Sequence, residues 1–288
     1  MLGRLRMSLD QCERAYLTLS EKIFTPKRSK RQFIGRAKDF LLANGRFDAE
    51  VLEAAMKECI GEFESTDALL KDPNSPCKVS VFSFHSIIQP LHVDRFVVTT
   101  RESNAALALI RSYNNTKRTA VLYDECKIWE ACRATSAATT FFDPVQIGSR
   151  QQKFIDGAVR YNNPIQQVYN EAMDLDQSRE TFILSIGTGS APGKAFEGKL
   201  KDIVEAMKII VTETEQKAQD FSDNHRNLVD DNMLFRFNVY HGLKEVGLEE
   251  YKEIPAMADA TETYLDHLDT RKQLRTCVSK LSQILQQG

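Results

Sequence analysis

One stretch of the 288-residue chain has the residue types and spacing for acid–base chemistry: Phe154-Ile155-Asp156-Gly157-Ala158-Val159-Arg160-Tyr161-Asn162-Asn163-Pro164. An apolar pair delivers a carboxylate into a tight Asp-Gly corner. A short apolar step, two amides and a proline able to open a helix follow. Taken alone, Asp-Gly between apolar residues signals a two-residue hairpin turn. Here Ile165, Val168, Tyr169, Ala172 and Met173 repeat at helical spacing, so the corner is expected to lead into a helix. A strand that hands an acid to a turn and then a helix is where α/β proteins place chemistry, beyond the carboxyl ends of their strands. A carboxylate of ordinary pKa, ~3.9, is a poor base at neutral pH, and partial burial is what raises it.

Other residues invite chemistry and support it less. Gly187-Thr188-Gly189-Ser190-Ala191-Pro192-Gly193 has proline where a dinucleotide fingerprint needs its third glycine. Its serine also stands directly beside a glycine, the wrong spacing for a nucleophile elbow. The histidines at 85, 92, 225, 241 and 267 form no His-x-x-x-His pair, so no metal site is expected. His85, at the end of an apolar run, reads as a hydrogen-bonded core residue. Cysteines at 12, 59, 77, 126, 132 and 277 show no Cys-x-x-Cys spacing and read as reduced, intracellular thiols. Arg133, on an alanine-rich segment, reads as a surface or ion-pair residue; the alternative is a contact to anionic substrate near Asp156. Lys27-Arg28-Ser29-Lys30-Arg31 reads as a solvated loop, the alternatives being contact with anionic lipid headgroups or a nuclear address.

Three segments, in this order, resemble the patatin-like phospholipase family. Asp156-Gly157-Ala158 followed by Asn162-Asn163-Pro164 is similar to its catalytic-aspartate motif. Upstream, Ala131-Cys132-Arg133-Ala134-Thr135-Ser136-Ala137-Ala138 is similar to its small-residue helix. Downstream, Phe182-Ile183-Leu184-Ser185-Ile186-Gly187-Thr188-Gly189 is similar to its next strand and glycine turn. The resemblance covers roughly residues 1–195 and fades after that. It implies an α/β fold of three α/β/α layers with a mostly parallel sheet and a helical C-terminal portion. Residues 1–195 are expected to form the family domain and 196–288 a mainly helical part of the same domain. The implied activity is hydrolysis of acyl esters of phospholipids or neutral glycerolipids by a serine–aspartate dyad. Asp156 is implied as the general base, with Gly157 and Ala158 shaping its corner, and no metal or organic cofactor is implied.

The other parts of that machinery are not in the sequence. Neither Gly-x-Ser-x-Gly nor an Asp-Gly-Gly-Gly oxyanion loop occurs in the 288 residues. Met1-Leu2-Gly3-Arg4-Leu5 resembles the tail of the helix behind the family's nucleophile elbow. The expectation is therefore a family domain lacking its front, inactive as written and unstable by itself. The competing expectation is a catalytically inactive module of this fold that acts in protein interaction or signalling.

Composition frames these readings. A hydrophobic content of 42% and a charged content of 27% fit a soluble globular protein. A net charge of −2 gives no bulk attraction to nucleic acid. No apolar run approaches the ~20 residues of a membrane helix, and the start lacks a secretory h-region. A cytoplasmic protein is expected, peripheral to membranes where lipid esters are its partners. Ser8 and Gln11 have capping-box spacing for a helix ending near Phe24. Helices are expected near 32–43 and, capped by Asp48, near 49–62. Turn chemistry at 72–76 ends that group. Strands are expected at 78–84 and 96–100, and a loop at 112–117. Asp124 is expected to cap a helix running to Ala138. The strand before Asp156, its helix and a strand at 181–186 are expected to form a parallel β-α-β unit. Helix at about 199–220, strand at 234–240 and helix at about 270–286 complete the reading.

Overall fold

The computed structural model describes residues 4–24, 47–71, 95–119, 121–139, 141–175, 177, 180–189, 201–241 and 251–287. The basic cluster at 27–31, the expected helix at 32–43, the turn at 72–76, the strand at 78–84, His85, His92 and Gly193 lie outside these residues. The chain divides into two compact units, 1–161 and 162–288.

The first unit begins with α1, Leu9–Ile23. It starts where Ser8 Oγ accepts from Gln11 N and Gln11 Oε1 accepts from Ser8 N, the reciprocal box that the sequence predicts. Helix α2, Ala49–Gly61, is capped by Asp48, whose Oδ1 accepts from Glu50 N at 2.9 Å. Four strands follow: β1 (Phe96–Arg101), β2 (Leu107–Arg111), β3 (Val145–Ile147) and β4 (Gln152–Asp156). Between β2 and β3 lies helix α3, Ile128–Ala134. The sheet order is β2-β1-β4-β3 and every pairing in it is antiparallel.

This corrects the expected mostly parallel sheet, and for the β1–β2 and β3–β4 pairings the reason is the length of the connections. A parallel pair needs a crossover of about a dozen residues or more, whereas a short turn forces reversal. Strand β1 returns as β2 through a turn in which Arg101 N donates to Ala106 O and Ala105 adopts φ 54°. Strand β3 returns as β4 through residues 148–151, with Gly148 at φ 75° and Gln151 at φ 50°. Phe154, Ile147, Val145, Ile110 and Ala108 form one core cluster with Ala131 and Ala134 of α3.

Helix α3 is also shorter than expected. Glu130 Oε2 accepts from Lys127 N, so the helix starts at Ile128, while Asp124 pairs with Lys71 at 2.7 Å. It ends at Ala134, where the bonds tighten to three-residue turns (Ser136 N to Arg133 O, Ala137 N to Ala134 O), and Ala137 O then accepts from Asp156 N at 3.0 Å.

The second unit holds α5 (Ile165–Leu175), β5 (Ile183–Ile186), α6 (Lys201–Asn224), α7 (Arg226–Asp230), β6 (Leu234–Phe237), α8 (Ile254–Asp266) and α9 (Leu268–Gln287); the short α4, Ala158–Tyr161, closes the first. Strands β5 and β6 are parallel, joined through α6 and α7. A second correction follows, since β5 pairs with β6 and not with the strand that carries Asp156. Ile165, Ile183, Phe221, Leu228 and Met233 form the core of this unit.

Candidate functional site

Asp156 is the last residue of β4 and is held from two sides. Across the sheet it stands opposite Thr99 of β1. Its own N–H donates to Ala137 O, so the segment after α3 lies along its other flank. The chain then turns through Gly157, whose carbonyl accepts from Arg160 N and Tyr161 N as α4 begins. The hairpin alternative is thereby excluded: the strand passes through Asp-Gly into a helical turn.

Gly157 is required by a close approach. A Cβ placed there would lie 2.6 Å from Val98 O and 2.9 Å from Val98 Cγ1. That carbonyl is itself fixed, accepting from Thr135 Oγ1 at 3.0 Å. Thr135 and Val98 thus support the corner, and the sequence reading did not single them out. Thr135 lies within the small-residue run at 131–138, but its partner is 37 residues away and no local pattern shows the pairing.

The carboxylate has one donor on one oxygen. Ala158 N donates to Asp156 Oδ1 at 2.8 Å, and no donor reaches Oδ2 among the described residues. Burial raises the Asp156 carboxyl from 3.8 to about 6, the Ala158 N–H bond pulling the other way, with no charged neighbour contributing. A carboxylate with this pKa is a stronger base than an exposed one and is still ionised at neutral pH. The free oxygen can take a proton from a hydroxyl placed against it.

The same burial makes stability depend on pH. The folded state holds the Asp156 proton more tightly than the unfolded chain, so stability falls as pH rises from about 4 to about 6 and then levels off. Asp156→Asn is neutral at every pH and keeps an oxygen for Ala158 N–H. It is expected to match wild type near pH 4 and to exceed it by on the order of 2–3 kcal/mol above pH 6. Urea unfolding of both proteins across this range measures the difference. Curves that stay parallel from pH 4 to 8 would rule out a desolvated carboxylate.

Arg133 is buried and not at the surface. It is 3% exposed, its Nη2 donates to Asp143 O at 2.5 Å, and its guanidinium lies 5.8 Å from the Phe142 ring. Burial lowers its pKa, while Glu53 and Asp143 favour its charge, as the ion-pair reading expects. His225 is half-buried and stacks 4.1 Å from the ring of core residue Phe221, with Nδ1 2.9 Å from Phe221 O. Five cysteines, at 12, 59, 126, 132 and 277, are free thiols.

The glycine turn after β5 is a structural knot in the second unit. Asn238 Oδ1 accepts from Gly189 N at 2.7 Å, and a Cβ on Gly187 would meet that same oxygen at 2.2 Å. Asn238 Nδ2 donates to Glu215 Oε1 at 3.0 Å, and Glu215 also accepts from Arg236 and Tyr240. Two backbone donors that a phosphate would need are engaged internally, Gly187 N with Phe237 O and Gly189 N with Asn238. Asn238→Ala removes the partner of the part-buried Gly189 N, so a loss of about 1 kcal/mol is expected in urea unfolding. A loss below about 0.5 kcal/mol, the floor for a typical hydrogen bond, would show that the turn does not depend on this side chain.

Among the described residues no helix is long and apolar enough to cross a membrane. The family model described as Patatin-like phospholipase matches residues 1–169. Calcium-independent phospholipase A2-gamma of Mus musculus is 26% identical over 194 residues, covering 66% of this chain and 22% of that protein. The protein of the same name from Homo sapiens is 25% identical over 248 residues, covering 83% of this chain and 28% of its own length. That span is too long to end at residue 195, so the similarity reaches further than the sequence motifs do. The chain spans about a quarter of the length of the curated relatives it matches.

Proposed function

The chain belongs to the patatin-like phospholipase family, and on that premise we propose that it is the base-bearing part of a lipid acyl hydrolase working by a serine–aspartate dyad. The observation that carries this reading is the Asp156 carboxylate: at a strand end, desolvated, with Oδ1 fixed by Ala158 N–H and Oδ2 meeting no donor among the described residues. In the proposed step, Asp156 takes the proton of a serine hydroxyl as its oxygen attacks the ester carbonyl. The proton then passes to the departing alcohol, and water releases the acyl group with Asp156 again as base. Gly157 and Ala158 hold the carboxylate in place. The names of the relatives point to phospholipid esters as substrates and to chemistry that needs no calcium. A cytoplasmic location with access to membrane surfaces suits such substrates and belongs to the proposal.

No Gly-x-Ser-x-Gly occurs in the 288 residues, which is the observation that favours the second reading, an inactive module for protein interaction. One experiment separates the two. The 288-residue chain is expected to leave a fluorogenic phospholipid ester intact, and the chain joined to a family nucleophile segment ahead of Met1 is expected to hydrolyse it. A joined protein that folds cooperatively and stays inactive would leave the interaction reading in place.

A further inference from the structure

Helix α9 presents two faces to different surroundings. Thr270 and Cys277 are buried, Ile284 packs on the core of the second unit, and Gln273 Nε2 donates to Arg236 O at 3.3 Å. These positions share one side of a 3.6-residue helix. About a quarter-turn away runs a second apolar stripe, Leu274, Val278 and Leu285, with relative exposures of 40%, 55% and 36%. Leu268, 64% exposed, extends the apolar surface at the start of the helix. The helix carries Arg271, Lys272, Arg275 and Lys280 against a single acidic residue, Asp269, in a chain whose net charge is −2. Arg271 pairs with Asp266 at 2.5 Å and Lys272 lies 3.8 Å from Asp269, while Arg275 is exposed with no ion pair among the described residues.

We propose that the exposed face of α9 docks on an anionic lipid surface, its leucines and valine entering the headgroup boundary and Arg271 and Arg275 meeting the lipid phosphates. The proposal rests on the reading of this chain as one that acts on membrane lipids. Of the four basic residues, Arg271 and Arg275 lie beside this stripe on the helix surface. An apolar stripe flanked by arginine is the pattern of a helix lying in a membrane interface, where apolar burial and attraction to anionic lipid add. A second copy of the chain fits the face less well. The stripe covers only about three turns, and parallel pairing along it would set Arg271 against Arg271, a like-charge contact.

The test is cosedimentation of the 288-residue chain with vesicles, read without turnover. The chain is expected to bind phosphatidylcholine–phosphatidylserine vesicles, to bind phosphatidylcholine vesicles less, and to lose the difference in high salt. Leu274→Ser with Val278→Ser is expected to weaken binding by at least about tenfold. Its thermal unfolding should be unchanged, since both side chains are already exposed. If that pair disturbs folding, Leu268→Ser with Arg275→Gln asks the same question at the other end of the helix. Wild-type chain left in the supernatant, or variants that bind as well as wild type, would overturn docking through α9. So would a concentration-dependent dimer, seen by light scattering, that the double variant abolishes. Failure here is separable from failure of the hydrolase reading: the joined protein would still cleave a short-chain ester in free solution.

Discussion

Asp156→Asn, in a form of the protein joined to a nucleophile segment, is expected to lower ester hydrolysis by about 10⁴-fold while leaving the fold intact. The substitution keeps the shape of the side chain and an oxygen for the Ala158 N–H bond, so the corner is preserved. What it removes is the ability to take the serine proton. Asp156→Glu is expected to fail as well, because one added methylene moves the carboxylate by more than the sub-ångström tolerance of such a site. The alternative role predicts the opposite pattern. If Asp156 only shapes a turn, asparagine is among the best residues for that purpose and turnover should be nearly unchanged. Turnover of the Asn variant within a few-fold of wild type would therefore remove Asp156 from the mechanism. The stability expected of the Asn variant at neutral pH, above that of wild type, makes the comparison clean. Lost activity in a protein that unfolds later than its parent cannot be blamed on unfolding.

What the sequence made legible was local. Ser8 with Gln11, and Asp48, mark helix starts because capping is decided within three residues. The Asp156 corner was readable for the same reason: strand, glycine and helical turn are consecutive. Strands β2 and β3 were not foreseen, and with them the antiparallel sheet. Val145–Ile147 is only three residues long, too short to show a period. On α5 the apolar stripe misleads in part, since Val168 is 41% exposed while Glu171 is buried. Pairings across long separations left no trace in the sequence at all. Asn238 reaches Gly189 from 49 residues away, and Thr135 reaches Val98 from 37. Such contacts are properties of the packed chain, and they are what hold the two glycine turns.

Gly157→Ala is the second large effect expected, a loss of about 3 kcal/mol. The added methyl would sit 2.6 Å from Val98 O and 2.9 Å from both the carbon of that carbonyl and Val98 Cγ1. Two of these atoms are backbone of β1, which pairs with β2 on one side and β4 on the other. A flexible side chain could turn aside, but this strand cannot without disturbing ladder bonds and the Thr135 hydrogen bond to Val98 O. Gly61→Ala provides the control. The methyl there would meet Thr66 Cγ2 at 3.7 Å, an ordinary contact, at the end of helix α2. Removing glycine freedom at a helical position should leave stability unchanged or raise it by up to about 1 kcal/mol. Urea unfolding of the two variants side by side therefore separates the cost of losing glycine from the cost of the clash. If the two unfold at the same midpoint, the close approach of Val98 does not fix the corner, and the placement of Asp156 must depend on its pairing with β1 and on Ala137 O and Ala158 N. If Gly157→Ala is the weaker fold by the expected margin, the glycine after the acid is there because β1 crosses directly behind it.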